Sequence, residues 1–139
     1  MAMPSRATKV FILLSHAVLG WAYCGALIGI GRHFLSMPTT LVVHAIGAPI
    51  GFALISLFYF RRFAFTSPVH TAAAFLGVVV AFDLLLVAPV FEKSFAMFWS
   101  PLGTWIPFGL IFASTYLTGR LVRPPEHKVD QPLGNEHSS

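Results

Sequence analysis

The sequence is poor in charge. Only 10% of its 139 residues are Asp, Glu, Lys or Arg, against about 25% in an ordinary soluble domain. That scarcity excludes a disordered tail protein and a nucleic-acid-binding module. It holds one cysteine, Cys24, which excludes an internal disulfide and with it the disulfide-stapled secreted scaffolds. Catalytic motifs are missing as well: there is no Gly-x-Ser-x-Gly elbow, no P-loop and no dinucleotide fingerprint. Gly29-Ile30-Gly31 closes an apolar run and precedes no soluble helix, so it is a helix terminus rather than a phosphate cradle. No two histidines stand at the i, i+4 spacing that favours a metal on one helix face. A b-type haem needs two axial ligands at one depth. His16 and His44 fall at different depths, and His33 with His44 would flank a haem only at the surface. The sequence names no cofactor and no metal ligand.

What is present is apolar. Hydrophobic residues make up 56% of the chain and the mean hydropathy is +0.76. Crossing a bilayer takes about 20 mostly apolar residues. The stretches 10–30, 39–60, 69–91 and 102–122 qualify, the third interrupted only by Asp83. Backbone groups in lipid must satisfy one another, so each stretch is expected to be a helix. The connections 31–38, 61–68 and 92–101 are short, which makes consecutive helices antiparallel neighbours. The expected fold is all-α: a four-helix integral membrane bundle, up-down-up-down, over residues 1–123. Residues 124–139 open with Pro124 and Pro125 and show no apolar periodicity, the pattern of a disordered tail.

Basic residues set the orientation. Arg6, Lys9, Arg61, Arg62, Arg120, Arg123 and Lys128 would share one side, Arg32 and Lys93 the other. The positive-inside rule then places both termini in the cytoplasm, across a bacterial-type inner (plasma) membrane. The net charge of +4 is a topology signal and needs no nucleic-acid partner.

Small residues in a small-xxx-small pattern let helices approach closely in lipid. Gly25/Gly29, Gly47/Gly51, Ala73/Gly77/Ala81 and Gly109/Ala113 supply one such pattern per span. On the first and third spans they lie apart from the stripes that hold His16 and Asp83. Two contact faces on one helix suggest a homo-oligomer or a membrane partner subunit. Pro49, Pro89 and Pro107 fall inside spans; each removes a backbone donor and either kinks the helix beside a cavity or is absorbed structurally. Ser67-Pro68 and Ser100-Pro101 read as helix starts. Trp99 and Trp105 read as interface anchors on one side, Phe58, Tyr59 and Phe60 on the other.

Asp83 is the one acid inside a span. An ionised carboxylate there costs about 3 kcal/mol on insertion scales, so it needs a partner or a role. His44 lies on the neighbouring span in sequence, at an offset of about 5 Å along the normal, which makes an Asp83–His44 pair the expected proton-titratable site. Tyr23, Cys24 and Trp105 fall at similar depth. A secondary cluster on the inner side would hold His16, His70 and Tyr116. The plainer alternative is a hydrogen bond that only fixes helix register. Three function classes follow: a proton-linked transporter or channel-like bundle using Asp83 and His44, a non-catalytic accessory subunit of a larger membrane complex, and a membrane redox or lipid-modifying enzyme.

Overall fold

The computed structural model describes residues 4–91, 93 and 96–122; the expected tail 124–139 lies outside them. Four helices carry the chain. Helix α1 spans Arg6–Phe34, α2 Met37–Arg62, α3 Pro68–Phe82 and α4 Ile106–Val122. Helix α3 continues as a π-helical segment, Asp83–Phe91, and a second π-helical segment, Pro101–Trp105, leads into α4. A 3-10 turn, Ala96–Trp99, lies between them.

Serine starts every helix. Ser5, Ser36, Ser67 and Ser100 each stand in extended backbone, and each hydroxyl accepts from the backbone N–H three residues on. That bond satisfies one of the donors a helix leaves bare at its first turn. Ser67 and Ser100 were legible from the prolines after them. Ser5 and Ser36 were not, so α1 and α2 begin before the apolar runs and end after them.

Three helical stretches are long and apolar enough to cross a membrane: Arg6–Phe34, Met37–Arg62 and Pro68–Val90, with mean hydropathies of 1.8, 2.1 and 2.4. The expected fourth span is shorter as an α-helix, 17 residues, because its first turns are π-helical. The surface is richly apolar: Phe11, Leu54, Leu85 and Leu121 are among many large side chains left exposed.

The packing order corrects one expectation. Helix α1 packs on α2 and α3, and α4 packs on α2 and α3, while α2 and α3 form no packed pair among the described residues. Around the bundle the helices therefore run α1, α2, α4, α3. The short connection after α2 crosses the end of the bundle instead of joining neighbours. Aromatic rings fill the centre. Phe52 and Phe75 are fully buried and meet across the α2–α3 diagonal, centroids 6.0 Å apart. Tyr59 and Phe60, expected as surface anchors, are buried too; only Phe58 of that trio is exposed.

The glycines divide. A Cβ on Gly20 would strike the Phe52 ring, and one on Gly51 the Tyr23 ring. These positions let α1 and α2 close together. Among the described residues, a Cβ on Gly25, Gly29, Gly77 or Gly109 would meet nothing within 4 Å. The small-residue patterns of the first, third and fourth spans are thus not contacts within the chain. Ala73, Gly77, Ala81, Gly109 and Ala113 are exposed.

The end of the bundle holding the α2–α3 connection is tightly bonded. Thr71 donates its hydroxyl proton to the Ser67 carbonyl at 2.9 Å. The Thr66 hydroxyl, 2.6 Å away, must then donate to Thr71, and Tyr59, at 2.9 Å, to Thr66. Ser56 Oγ and Thr115 Oγ1, on the packed α2 and α4, are buried without a hydrogen-bond partner.

Candidate functional site

At the opposite end the helices enclose a cavity of about 390 Å3, within the range of about 300–1,000 Å3 typical of small-molecule sites. Trp21, Cys24, Gly25, Gly29 and Arg32 line it from α1, His44 from α2, Val79, Asp83 and Val87 from α3 and its extension, and Gly103, Pro107, Phe108 and Ile111 from the start of α4. C-terminal halves of α1 and α3 meet N-terminal halves of α2 and α4, so the helices alternate in direction.

Two of the expected site residues share this cavity: Asp83 and His44. They are not hydrogen-bonded to each other. Asp83 stands at the first residue of the π-helical segment, and its Oδ1 accepts from the Trp21 indole N–H at 3.0 Å. The packing order explains the difference, because α1 is the neighbour of α3 and α2 is not. Trp21 is held in turn against Phe82, ring centroids 5.0 Å apart. His44 is 6% exposed, and its Nδ1 is buried with no hydrogen-bond partner among the described residues. An unmet buried polar atom costs about 1–3 kcal/mol, so the imidazole is an expensive feature in a mostly apolar wall.

Neither a protein-family model, nor a curated protein, nor a solved structure matches this chain. The cavity is therefore read from its own residues.

Tyr23 and Trp105 are outside the cavity lining. The Tyr23 hydroxyl donates to the Gly47 carbonyl at 3.2 Å and its ring covers Gly51, so it belongs to the α1–α2 contact. Trp105 is 60% exposed and its indole N–H donates to the Phe98 carbonyl, as an anchoring tryptophan would. The secondary cluster does not form. His16 Nδ1 donates to the Ile12 carbonyl at 2.7 Å, and its ring is surrounded by Phe58, Tyr59 and Phe63. His70 is exposed and bonds its own cap, Ser67. Tyr116 stacks on Phe112 and meets the Arg120 guanidinium.

Sequence reasoning missed Trp21 as a site residue and used Arg32 only as a topology charge. A signal for Trp21 was present. Tryptophans in membrane helices favour the interfaces, and a mid-helix indole N–H in an apolar run requires an acceptor. Asp83 is the one acid in such a run. Among the described residues no three His, Cys, Asp or Glu come together as a metal site would need.

The chemistry open to this arrangement is limited and specific. Asp83 offers a carboxylate in an apolar, aromatic surround, with one oxygen fixed by Trp21. That group holds either a proton or a cation. Trp21 and Phe108 add aromatic faces, which attract cations through the ring quadrupole.

Proposed function

We propose that this is a small multi-pass protein of a bacterial-type inner membrane, with α4 as its fourth span and both termini in the cytoplasm, and that it moves a small amphipathic solute in exchange for protons. The observation that carries the reading is the placement of Asp83 and His44, from helices that do not pack on each other, in one cavity. Ionisable groups within spans mark proton and substrate pathways by default. A cation and a proton compete for the same Asp83 carboxylate, and that competition is the simplest form of coupling.

The test uses proteoliposomes loaded with a pH dye and given a gradient of dodecyltrimethylammonium, a permanent cation that carries no proton of its own. Wild-type protein is expected to move protons against the cation. Asp83→Asn is expected to reduce that movement at least tenfold while keeping its helical circular dichroism, since the amide oxygen still accepts from Trp21. Equal proton movement in Asp83→Asn and wild type overturns the reading.

A second reading, as an accessory subunit of a larger complex, draws on the exposed Ala73/Gly77/Ala81 face of α3. Such faces let a second membrane helix approach closely. Native mass spectrometry of protein extracted from its host membrane separates the two: a stoichiometric partner subunit favours the second reading, a chain carrying only lipid the first.

A further inference from the structure

We infer that the cavity is loaded sideways from the bilayer, through a gap between α1 and the π-helical extension of α3, by an amphiphile with an apolar chain and an ammonium head. This deepens the transport reading by naming route and solute class, and it rests on that reading for the proton exchange.

The faces of α1 locate the gap. Gly20, Tyr23, Leu27 and Gly31 meet α2, and Trp21 reaches α3 through Phe82 and Asp83. At 3.6 residues per turn, Trp21 lies roughly 100° round the helix from the α2 face, and Gly25 and Gly29 roughly 140–180° round. The two glycines are therefore past the direction of α3, on the outside of the bundle. They are exposed and yet line the cavity. The wall is open there for two reasons. Neither glycine has a side chain, and a Cβ at either would meet nothing within 4 Å. The facing segment, Asp83–Phe91, is tied to α1 at its first residue by the Asp83–Trp21 bond and buries Ala88, while Leu84, Leu85 and Val90 stay exposed.

The lining selects the ligand. Ile28, Val87 and Phe108 offer an apolar path from the gap. Asp83 is the one acid along it, and the buried Nδ1 of His44 is the unmet polar atom of the opposite wall. A primary ammonium has three donors and one positive charge, which answers both groups. Arg32 also lines the cavity, at its mouth, about 4.5 Å further along α1 than Gly29; it is not a free group, so the charge that a head meets once past the glycines is that of Asp83. An anionic head would meet Asp83 with like charge.

Trp21 serves as the reporter. The Trp99→Phe, Trp105→Phe protein keeps it as the one indole of the chain. In phosphatidylcholine nanodiscs, dodecylamine carrying a nitroxide close to its amine end is expected to quench it saturably. The half-saturating concentration should rise at least tenfold in Gly25→Leu and Gly29→Leu, and stay within twofold in Gly77→Leu, whose glycine is equally open but off the cavity. The nitroxide-labelled twelve-carbon fatty acid should show no saturable phase. Should the leucine variants fail to fold, Gly29→Cys in a Cys24→Ala background, blocked after reconstitution with a benzyl thiosulfonate, gives the same obstruction. Saturable quenching that survives obstruction at Gly29, or equal quenching by amine and acid, overturns the proposal. If obstruction has no effect on quenching but Asp83→Asn still stops proton movement, the portal falls and the transport reading stands. If obstruction blocks quenching while Asp83→Asn moves protons normally, the portal stands and the transport reading falls.

Discussion

The two ends of this bundle are built from the same residue types and do opposite things with them. At the end holding the α2–α3 connection, glycine closes the structure: Phe60 and Pro68 fill the space beside Gly119. At the cavity end Gly31 still closes on Thr40, but Gly25 and Gly29, on another face of α1, leave space unfilled. Proline divides by helix rather than by end. Pro49 sits at the middle of α2, which remains α-helical throughout. Pro89 sits within the π-helical Asp83–Phe91, and Pro107 just after the π-helical Pro101–Trp105. There the Ile106 N–H reaches back five residues to the Pro101 carbonyl. A wider turn of this kind is frequent at functional sites. The difference teaches that proline alone does not open a helix bundle; the openings coincide with the proline-bearing stretches that also leave the α-helical hydrogen-bond pattern.

The sharpest way to break the comparison is to add bulk to a glycine at a contact and to one in open space. Gly51→Leu drives a side chain into the ring of Tyr23, and overpacking of this kind costs about 1–3 kcal/mol. Gly77→Leu meets no neighbour and replaces the poorer helix former, so it should be neutral or slightly stabilising. Thermal melts of the purified variants in one detergent, followed by circular dichroism, compare them directly. Equal melting temperatures would mean that the α1–α2 contact is not what holds the bundle.

This glycine division also marks the limit of what could be read from the sequence. The number, class and approximate extent of the helices were legible, because 20-residue apolar runs leave the backbone few choices. Asp83 was legible as the residue to explain, and so was His44 as something near it. Their partners were not. Trp21, donating its indole N–H to Asp83, takes the partner place expected for His44, because chain order does not fix which helices of a four-helix bundle are adjacent. The α2–α3 connection is short and still crosses the diagonal. In the same way, spacing identified Gly25 and Gly29 as a small-residue pair, while only the position of α3 shows that nothing packs there. Tyr23 and Trp105 were named from a depth count alone, and neither lines the cavity, since facing follows from packing.

A second contrast concerns buried polar groups, with opposite signs expected at the two ends. Thr71 is fully buried and ends the hydroxyl chain from Tyr59 through Thr66 to the Ser67 carbonyl. Thr71→Val keeps the shape and removes the buried Thr66–Thr71 hydrogen bond, a loss of about 1 kcal/mol. His44 is buried with Nδ1 unmet, so His44→Leu removes an unpaid polar atom and is expected to raise stability by about 1 kcal/mol. The same variant should weaken dodecylamine quenching of Trp21 at least tenfold. A stability gain with loss of binding is the signature of a residue kept for function. If His44→Leu instead destabilises as much as Thr71→Val, His44 is part of the scaffold.

The smallest effect lies in the connection that crosses the closed end. Ala64 follows α2 with φ of +50°, and its N–H, like that of Phe63, returns to the Tyr59 carbonyl. Helices commonly end on one residue in this left-handed conformation, and glycine is the usual choice because a Cβ crowds the carbonyl there. Alanine at that place carries strain of about 1 kcal/mol. Ala64→Gly relieves it, less the greater freedom glycine has in the unfolded chain, for a net gain of about 0.5 kcal/mol. The gain should appear in the melting temperature and leave amine quenching of Trp21 unchanged, because the connection and the cavity stand at opposite ends of the helices. A change in quenching on Ala64→Gly would show that the two ends are mechanically coupled.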